Sequence, residues 1–369
     1  MIVPPLITGY GWYDSDGRAQ HRATASFAGM VSSSMALNWK HVLSHGVSLT
    51  GLMPTVRRLL AGRAVIIMFH EIQQDCRREL MTGTSSDLFE NSLTWLQQEG
   101  WEIVSLEECL ERLVGDDTSR RYAVLTFDDG YRDNVSTALP ILERCDAPFI
   151  VYVPTGAPTR SLQAWWLGLR ELFRSRDDVS IDAMSARFHC PDFGAKVFAL
   201  TTVTQWVHED YSRAAMLFPI FVKAGVSLSA LNDCYFLDED EILALARHPL
   251  ASIGGHTTSH VALTTLDVSS ARAEIVDNRS YLENLLQQPI RHFAYPYGGL
   301  RAFGLREQYL ASEAGFLTAV TTLHEHLFNP PLNYFALPRV FVGSSDTIMS
   351  FQSKMNGLQR AFEAAVWKL

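Results

Sequence analysis

Arg121-Tyr-Ala-Val-Leu-Thr-Phe-Asp-Asp-Gly-Tyr131 is the stretch from which the rest of the chain can be read. Tyr122 to Phe127 is a short apolar run rich in β-formers, which predicts a buried strand. It ends on Asp128 and Asp129, followed by Gly130. Two carboxylates at the end of a buried strand are costly unless something stabilises their charge. Neighbouring strand side chains point to opposite faces, and Gly130 permits backbone angles other residues avoid. The two acids can therefore lean over one end of a sheet while aiming at different targets: one can hold a metal, the other a proton. Alone, Asp-Asp-Gly is also an ordinary turn signal. A second stretch, Ile253-Gly-Gly-His-Thr-Thr-Ser-His260, shifts the balance, because it sets two histidines four apart directly after another strand-like segment. One Asp with two His is a sensible divalent site with open positions for water and substrate.

These stretches resemble the polysaccharide deacetylases, metal-dependent carbohydrate esterases. Thr126-Phe-Asp-Asp-Gly-Tyr131 is similar to the family's first motif, His256-Thr-Thr-Ser-His260 to its second and Phe293-Ala-Tyr-Pro-Tyr-Gly298 to its third, in the same order. The resemblance covers roughly Ala64 to Val342. It implies an α/β fold, a distorted (β/α) barrel of the seven-stranded type. It also implies Asp128 as the base and Asp129, His256 and His260 as ligands of a divalent metal, zinc first, with cobalt, nickel or manganese also accepted by such donors. A metal-bound water is then the nucleophile.

Two departures from the common family pattern matter. That pattern ends with a Leu-x-His whose histidine is the general acid, and no such strand occurs late here. Met68-Phe-His70 has the right form near the start of the barrel. The sequence is similar to the circularly permuted branch, which includes exopolysaccharide deacetylases, and this makes His70 the expected acid. In the third motif, Ala294 and Tyr295 stand where an Arg-Pro is common, so the arginine that orients the base is missing there. Arg339, in Leu337-Pro-Arg-Val340, can supply that charge from a neighbouring strand end. Pro296 and Tyr297 are expected to wall the substrate groove, with the Tyr297 N–H near the oxyanion, and Tyr131 and Arg132 to line its mouth.

With 369 residues, 47% hydrophobic and 19% charged, the chain can bury a large core. Its net charge of −9 disfavours a nucleic-acid partner. Five scattered cysteines with no Cys-x-x-Cys pair argue for free thiols rather than a disulfide framework or structural zinc. The N-terminus lacks a basic region followed by an apolar core, and no apolar run approaches the ~20 residues of a membrane span, so a cytoplasmic location is expected.

Strand and helix patterns alternate from Ala64 onward, as in a parallel α/β sheet or barrel. The expected organisation is an N-terminal extension at 1–60, a barrel at 61–345 with a mostly helical insertion at about 157–238, and a closing helix at 346–369. Insertions of this kind sit at strand C-terminal ends, where they shape the substrate groove. Trp165 and Trp166, at the start of the insertion, can stack on a sugar ring; anchoring the insertion's own core is the commoner role for tryptophan. The expected function is removal of N-acetyl groups from amino sugars of a poly- or oligosaccharide. A deformylase or non-sugar amidase using the same site, or an inactive glycan-binding relative, are the alternatives. The sequence does not set the oligomeric state.

Overall fold

A computed structural model describes residues 60–74, 80, 83–115 and 119–359. The expected N-terminal extension up to residue 59 and the last part of the expected closing helix, 360–369, lie outside these residues, and so does Cys76; within the described part of that closing segment Ile348–Met355 is helical. Eight parallel strands form one curled sheet: β1 (Ala64–Phe69), β2 (Trp101–Ile103), β3 (Arg121–Phe127), β4 (Phe149–Val153), β5 (Ala251–Gly255), β6 (His292–Ala294), β7 (Thr318–Val320) and β8 (Val340–Phe341). The order is β7-β6-β5-β4-β3-β1-β8. β2 pairs with the first half of the β3 edge, and β4 takes over that edge at Leu125. The segment before β8 joins the two ends: Leu337 bridges Val320 of β7, while Val340 and Phe341 pair with Ile67 and Met68 of β1. This is the expected distorted barrel, with seven strands around its path.

The strand sequences alternate between two packed faces, as a period of two requires. Val65, Ile67, Phe69, Ala123, Leu125, Phe127, Val151 and Val153 face the outer helices. Ala64, Ile66, Tyr122, Val124, Ile150 and Tyr152 form the inner cluster, joined by Leu106, Cys109, Leu110 and Leu113 of α2 (Leu106–Val114). On the outside, α1 (Ser86–Gln98) starts at a Ser85 cap and turns Leu88, Phe89, Leu93 and Leu96 inward, as its spacing predicts. Phe89 meets Phe69 edge-on at 5.0 Å between ring centres.

Pro140 shapes the segment that follows the acids. Asn134–Ala138 is a π-helical turn, and α3 (Leu139–Arg144) begins with Pro140 in its first turn, where a missing N–H is harmless. The insertion holds α4 (Trp165–Ser175), an antiparallel hairpin of Asp178–Ile181 and Ala186–His189, α5 (Phe193–Glu209), a 3-10 segment at Tyr211–Leu217, α6 (Phe218–Ala224) and α7 (Leu228–Tyr235). The hairpin was not legible in the sequence. Pro219 lies in the first turn of α6, where a missing N–H is harmless. Regular alternation resumes with α8 (Glu239–Ala246), α9 (Val268–Leu286) and α10 (Leu305–Glu313). Among the described residues no single helix is long and apolar enough to cross a membrane.

Two glycines end β5, and packing requires the first. A Cβ on Gly254 would overlap the ring of Tyr152 and lie 3.0 Å from the His292 carbonyl oxygen. Gly254→Ala is therefore expected to destabilise the fold by about 1–3 kcal/mol through overpacking. Urea denaturation monitored by circular dichroism checks this.

Candidate active site

The chemistry-bearing residues collect at the C-terminal ends of the strands. β3 delivers Asp128 and Asp129, which are 3% and 4% exposed. Asp129 adopts φ 73° and Gly130 φ 68°, so the chain turns sharply past the acids and sends their side chains in different directions. β5 delivers His256 and His260, both buried, with a loop between them in which Thr257 (φ 62°) and His260 (φ 53°) are also left-handed. Positive φ at non-glycine residues is strained backbone, held only where the surroundings over-determine it.

Those surroundings come from α9. Asn278 accepts from the His256 N–H at 3.1 Å and donates to the carbonyls of Val153, at 3.0 Å, and Thr257. Glu274 accepts from the N–H groups of Thr258 and Ser259 at 2.9 and 2.8 Å and from the Ser259 hydroxyl. The helical pattern places Glu274 on the polar side of α9, and the structure shows that side facing the histidine loop. Neither residue carries a motif signal. The only sequence hint is a polar pair four apart on a helix that follows the loop.

Asp129 Oδ1 lies 3.1 Å from His260 Nε2 and 3.4 Å from His256 Nε2. One donor atom from each of the three residues falls within 4.8 Å of the others, and all three are buried. Asp129 Oδ1 is buried and makes no well-aligned hydrogen bond with either imidazole. This donor set fits a divalent cation: one hard carboxylate oxygen and two imidazole nitrogens. The other ring nitrogen of His256 meets the Ala294 carbonyl at 2.7 Å, which fixes the ring with Nε2 toward Asp129. Burial pushes the Asp129 carboxyl up, but His260 and His256 beside it prevail and hold it well below the ordinary carboxylate range. For His256, burial is outweighed by the neighbouring carboxylates, and its pKa is raised.

Asp128 points elsewhere. Arg339 Nη1 and Nη2 donate to its two oxygens at 2.7 Å each, a bidentate pair. Arg339 also donates to the Thr321 carbonyl and the Thr126 hydroxyl, at 2.8 and 3.2 Å. Burial would raise the Asp128 pKa; the arginine reverses this and lowers it. His70 follows β1, half-buried, with its ring edge-on to Phe341 at 5.7 Å. Burial lowers its pKa, and the charges of Asp129 and Asp128 act on it in the opposite sense.

The structure thus brings Asp128, Asp129, His256, His260, His70 and Arg339 to one place. The residues expected to meet substrate are distributed differently. Arg339, expected to bring its charge to the base, does reach Asp128, and it is fully enclosed, so it does not line the groove. Trp165 is 3% and Tyr131 2% exposed, and Pro296 is buried as well. Trp165 packs in the insertion's core and donates to the Tyr297 hydroxyl at 2.9 Å; Tyr131 packs on Phe236 and accepts from Trp166 at 2.7 Å. Arg132, also expected at the mouth, pairs with Glu241 at 2.9 Å. The insertion docks on the barrel through these groups, which is why they are covered. Tyr297 and Trp166 are partly exposed and stand against His260, with ring centres 5.1 and 4.7 Å away.

A curled parallel sheet carrying this carboxylate–bis-imidazole cluster at its C-terminal rim defines a (β/α) barrel equipped for a divalent metal. The chain belongs to the polysaccharide deacetylase family, whose sequence model matches residues 115–316. It is 21% identical over 262 residues to YxkH of Bacillus subtilis strain 168, named for the same family, covering 70% of this chain and 63% of that protein. It is 26% identical over 129 residues to the poly-beta-1,6-N-acetyl-D-glucosamine N-deacetylase of Escherichia coli K12, covering 30% of this chain and 19% of that one. The chain thus spans less than two thirds of the length of either relative. In fold it is similar to the Streptococcus pyogenes deacetylase PplD in complex with acetate, with a TM-score of 0.52, 18% identity and coverage of 80% of this chain and 99% of that one. It is likewise similar to IcaB from Ammonifex degensii, with a TM-score of 0.50, 16% identity and coverage of 81% and 98%.

Asn278→Ala removes the side chain that holds the histidine loop and strips one hydrogen-bonding partner from three backbone groups. It is expected to weaken divalent-metal binding at this site about 10–100-fold, the usual range for losing an outer-sphere support. Competition with a chromogenic chelator measures this directly.

Proposed function

We propose that this protein is a divalent-metal-dependent hydrolase that removes N-acetyl groups from amino sugars of a polysaccharide or oligosaccharide. The observation that carries the reading is the division of labour between adjacent acids: Asp129 faces two imidazoles, while Asp128 is held by Arg339. A binding module has no use for a second, separately oriented carboxylate beside the first. The similarity to an N-acetylglucosamine-polymer deacetylase supports the sugar substrate.

Asp129, His256 and His260 would hold the cation. When bound, such an ion lowers the pKa of a coordinated water and polarises the amide carbonyl. Asp128 takes the proton from the attacking water, because Arg339 keeps it ionised and aims it. His70, as imidazolium, gives its proton to the leaving amine nitrogen. Burial disfavours that charged form, and the neighbouring charges of Asp129 and Asp128 favour it. The Tyr297 N–H, on a residue held at φ 62°, is the candidate donor to the developing oxyanion. Half-exposed Trp166 and Tyr297 wall the groove over His260.

Zinc-loaded protein is expected to release acetate from N-acetylglucosamine oligomers. Chelation should abolish this, and Asp128→Asn should lower it by about 10²–10⁴-fold, the range for a general base, without loss of metal. Metal binding with no acetate release from any amino sugar would move the substrate to another amide. Arg339→Met leaves Asp128 buried without its counter-charge. The base pKa then rises, so the acid limb of kcat/KM is expected to move to higher pH, with a loss on the order of 10²-fold at neutrality.

A further inference from the structure

The insertion's first helix touches both sides of the site. Trp166 and Arg170 lie four apart on α4, hence on one helix face. Trp166 stands against His260. Arg170, one turn on, reaches the segment that carries His70: its Nη1 donates to both Glu71 oxygens, at 2.9 and 2.8 Å. Glu71 is the residue after His70. Its side chain is 1% exposed and that of Arg170 7%, so this ion pair is buried between barrel and insertion. The guanidinium also lies 4.6 Å over the Tyr235 ring of α7. Two more bonds fix the same segment: Asn134 Nδ2 donates to the His70 carbonyl at 2.8 Å, and the Thr84 N–H to the Glu71 carbonyl at 2.8 Å.

We propose that Arg170 is a positioning residue: by gripping Glu71 it sets the His70 ring in the place from which it protonates the leaving amine, so that docking of the insertion completes the active site. The inference rests on His70 being the general acid of the reaction proposed above. His70 leaves the strand ladder at the end of β1 and contributes no side-chain hydrogen bond from its buried Nδ1. Its ring rests edge-on against Phe341, and its place is otherwise set by the backbone on either side of it. The preceding residue, Phe69, is fixed in the sheet, and the following one is fixed by Arg170. A misplacement of about 1 Å in a reacting group can lower a rate on the order of 10²-fold.

Removing Arg170 alone would strand a buried carboxylate and can prevent folding. The test therefore uses Glu71→Gln combined with Arg170→Met, which removes both charges, alongside Arg170→Lys. Acetate release is measured for each in the wild-type background and in a His70→Ala background. The paired replacement is expected to lower kcat about 10–100-fold with KM and zinc affinity unchanged, and to lower it less than about twofold once His70 is absent. Arg170→Lys should recover part of the loss. An equal loss in both backgrounds would mean that the pair only holds the fold together, and would overturn the proposal. A second readout needs no turnover: the His70 imidazole resonances, assigned by their loss in His70→Ala, should shift in the paired variant and not in Arg301→Ala. Arg301 bridges barrel and insertion elsewhere, at the Glu209 carbonyl. Unmoved His70 resonances contradict the proposal whatever the activity. A wild-type protein that releases no acetate, with shifted resonances, defeats the deacetylase reading and leaves the positioning role standing.

Discussion

Two carboxylates buried side by side at the end of one strand are the constraint around which this structure is arranged. Like charges in a low-dielectric interior repel and resist desolvation, so neither Asp128 nor Asp129 can stay ionised without a dedicated partner. The structure answers with two separate solutions. Asp128 receives a fully buried bidentate arginine from the segment that closes the barrel. Asp129 faces the imidazoles of His256 and His260, a set that a divalent cation would neutralise further. The left-handed backbone at Asp129 and Gly130 separates the two, and the parallel sheet brings the partners from β5 and from beside β8 to the same rim.

Much of this was legible because strand ends are punctuated in the sequence. β1, β3 and β4 are apolar runs with sharp polar stops, and the alternation with amphipathic helices gave the barrel. The Asp-Asp and His-x-x-x-His stretches announced themselves through spacing and through the cost of burying them. His70 could be placed near these acids because a barrel has no privileged first strand, so a strand end from either end of the chain can reach the same rim.

What the sequence did not give away has a common physical cause: it depends on what covers a residue. The sequence could set Arg339 beside the base, but it could not show that the barrel closes over it and leaves it no exposed surface. Tyr131 reads as a residue of the groove mouth, and for Trp165 the commoner role, anchoring the insertion's core, is the one seen; the insertion docks on the barrel through both. Glu274 and Asn278 look like ordinary polar positions on α9, yet they hold the strained histidine loop. The hairpin of Asp178–His189 is short and contains too few residues for its period to stand out. The hairpin apart, each of these is a tertiary contact between separate elements, and local pattern carries no record of it.

The most direct test of the central claim is the position of a bound metal. Crystals grown with zinc and measured at its absorption edge should show one anomalous peak per chain, within bonding distance of an Asp129 oxygen and the Nε2 atoms of His256 and His260, with Asp128 off the ion and on Arg339. The peak should vanish in Asp129→Ala. No peak there, or an ion bound through Asp128 with Arg339 displaced, would contradict the assignment of one carboxylate to the metal and the other to the proton.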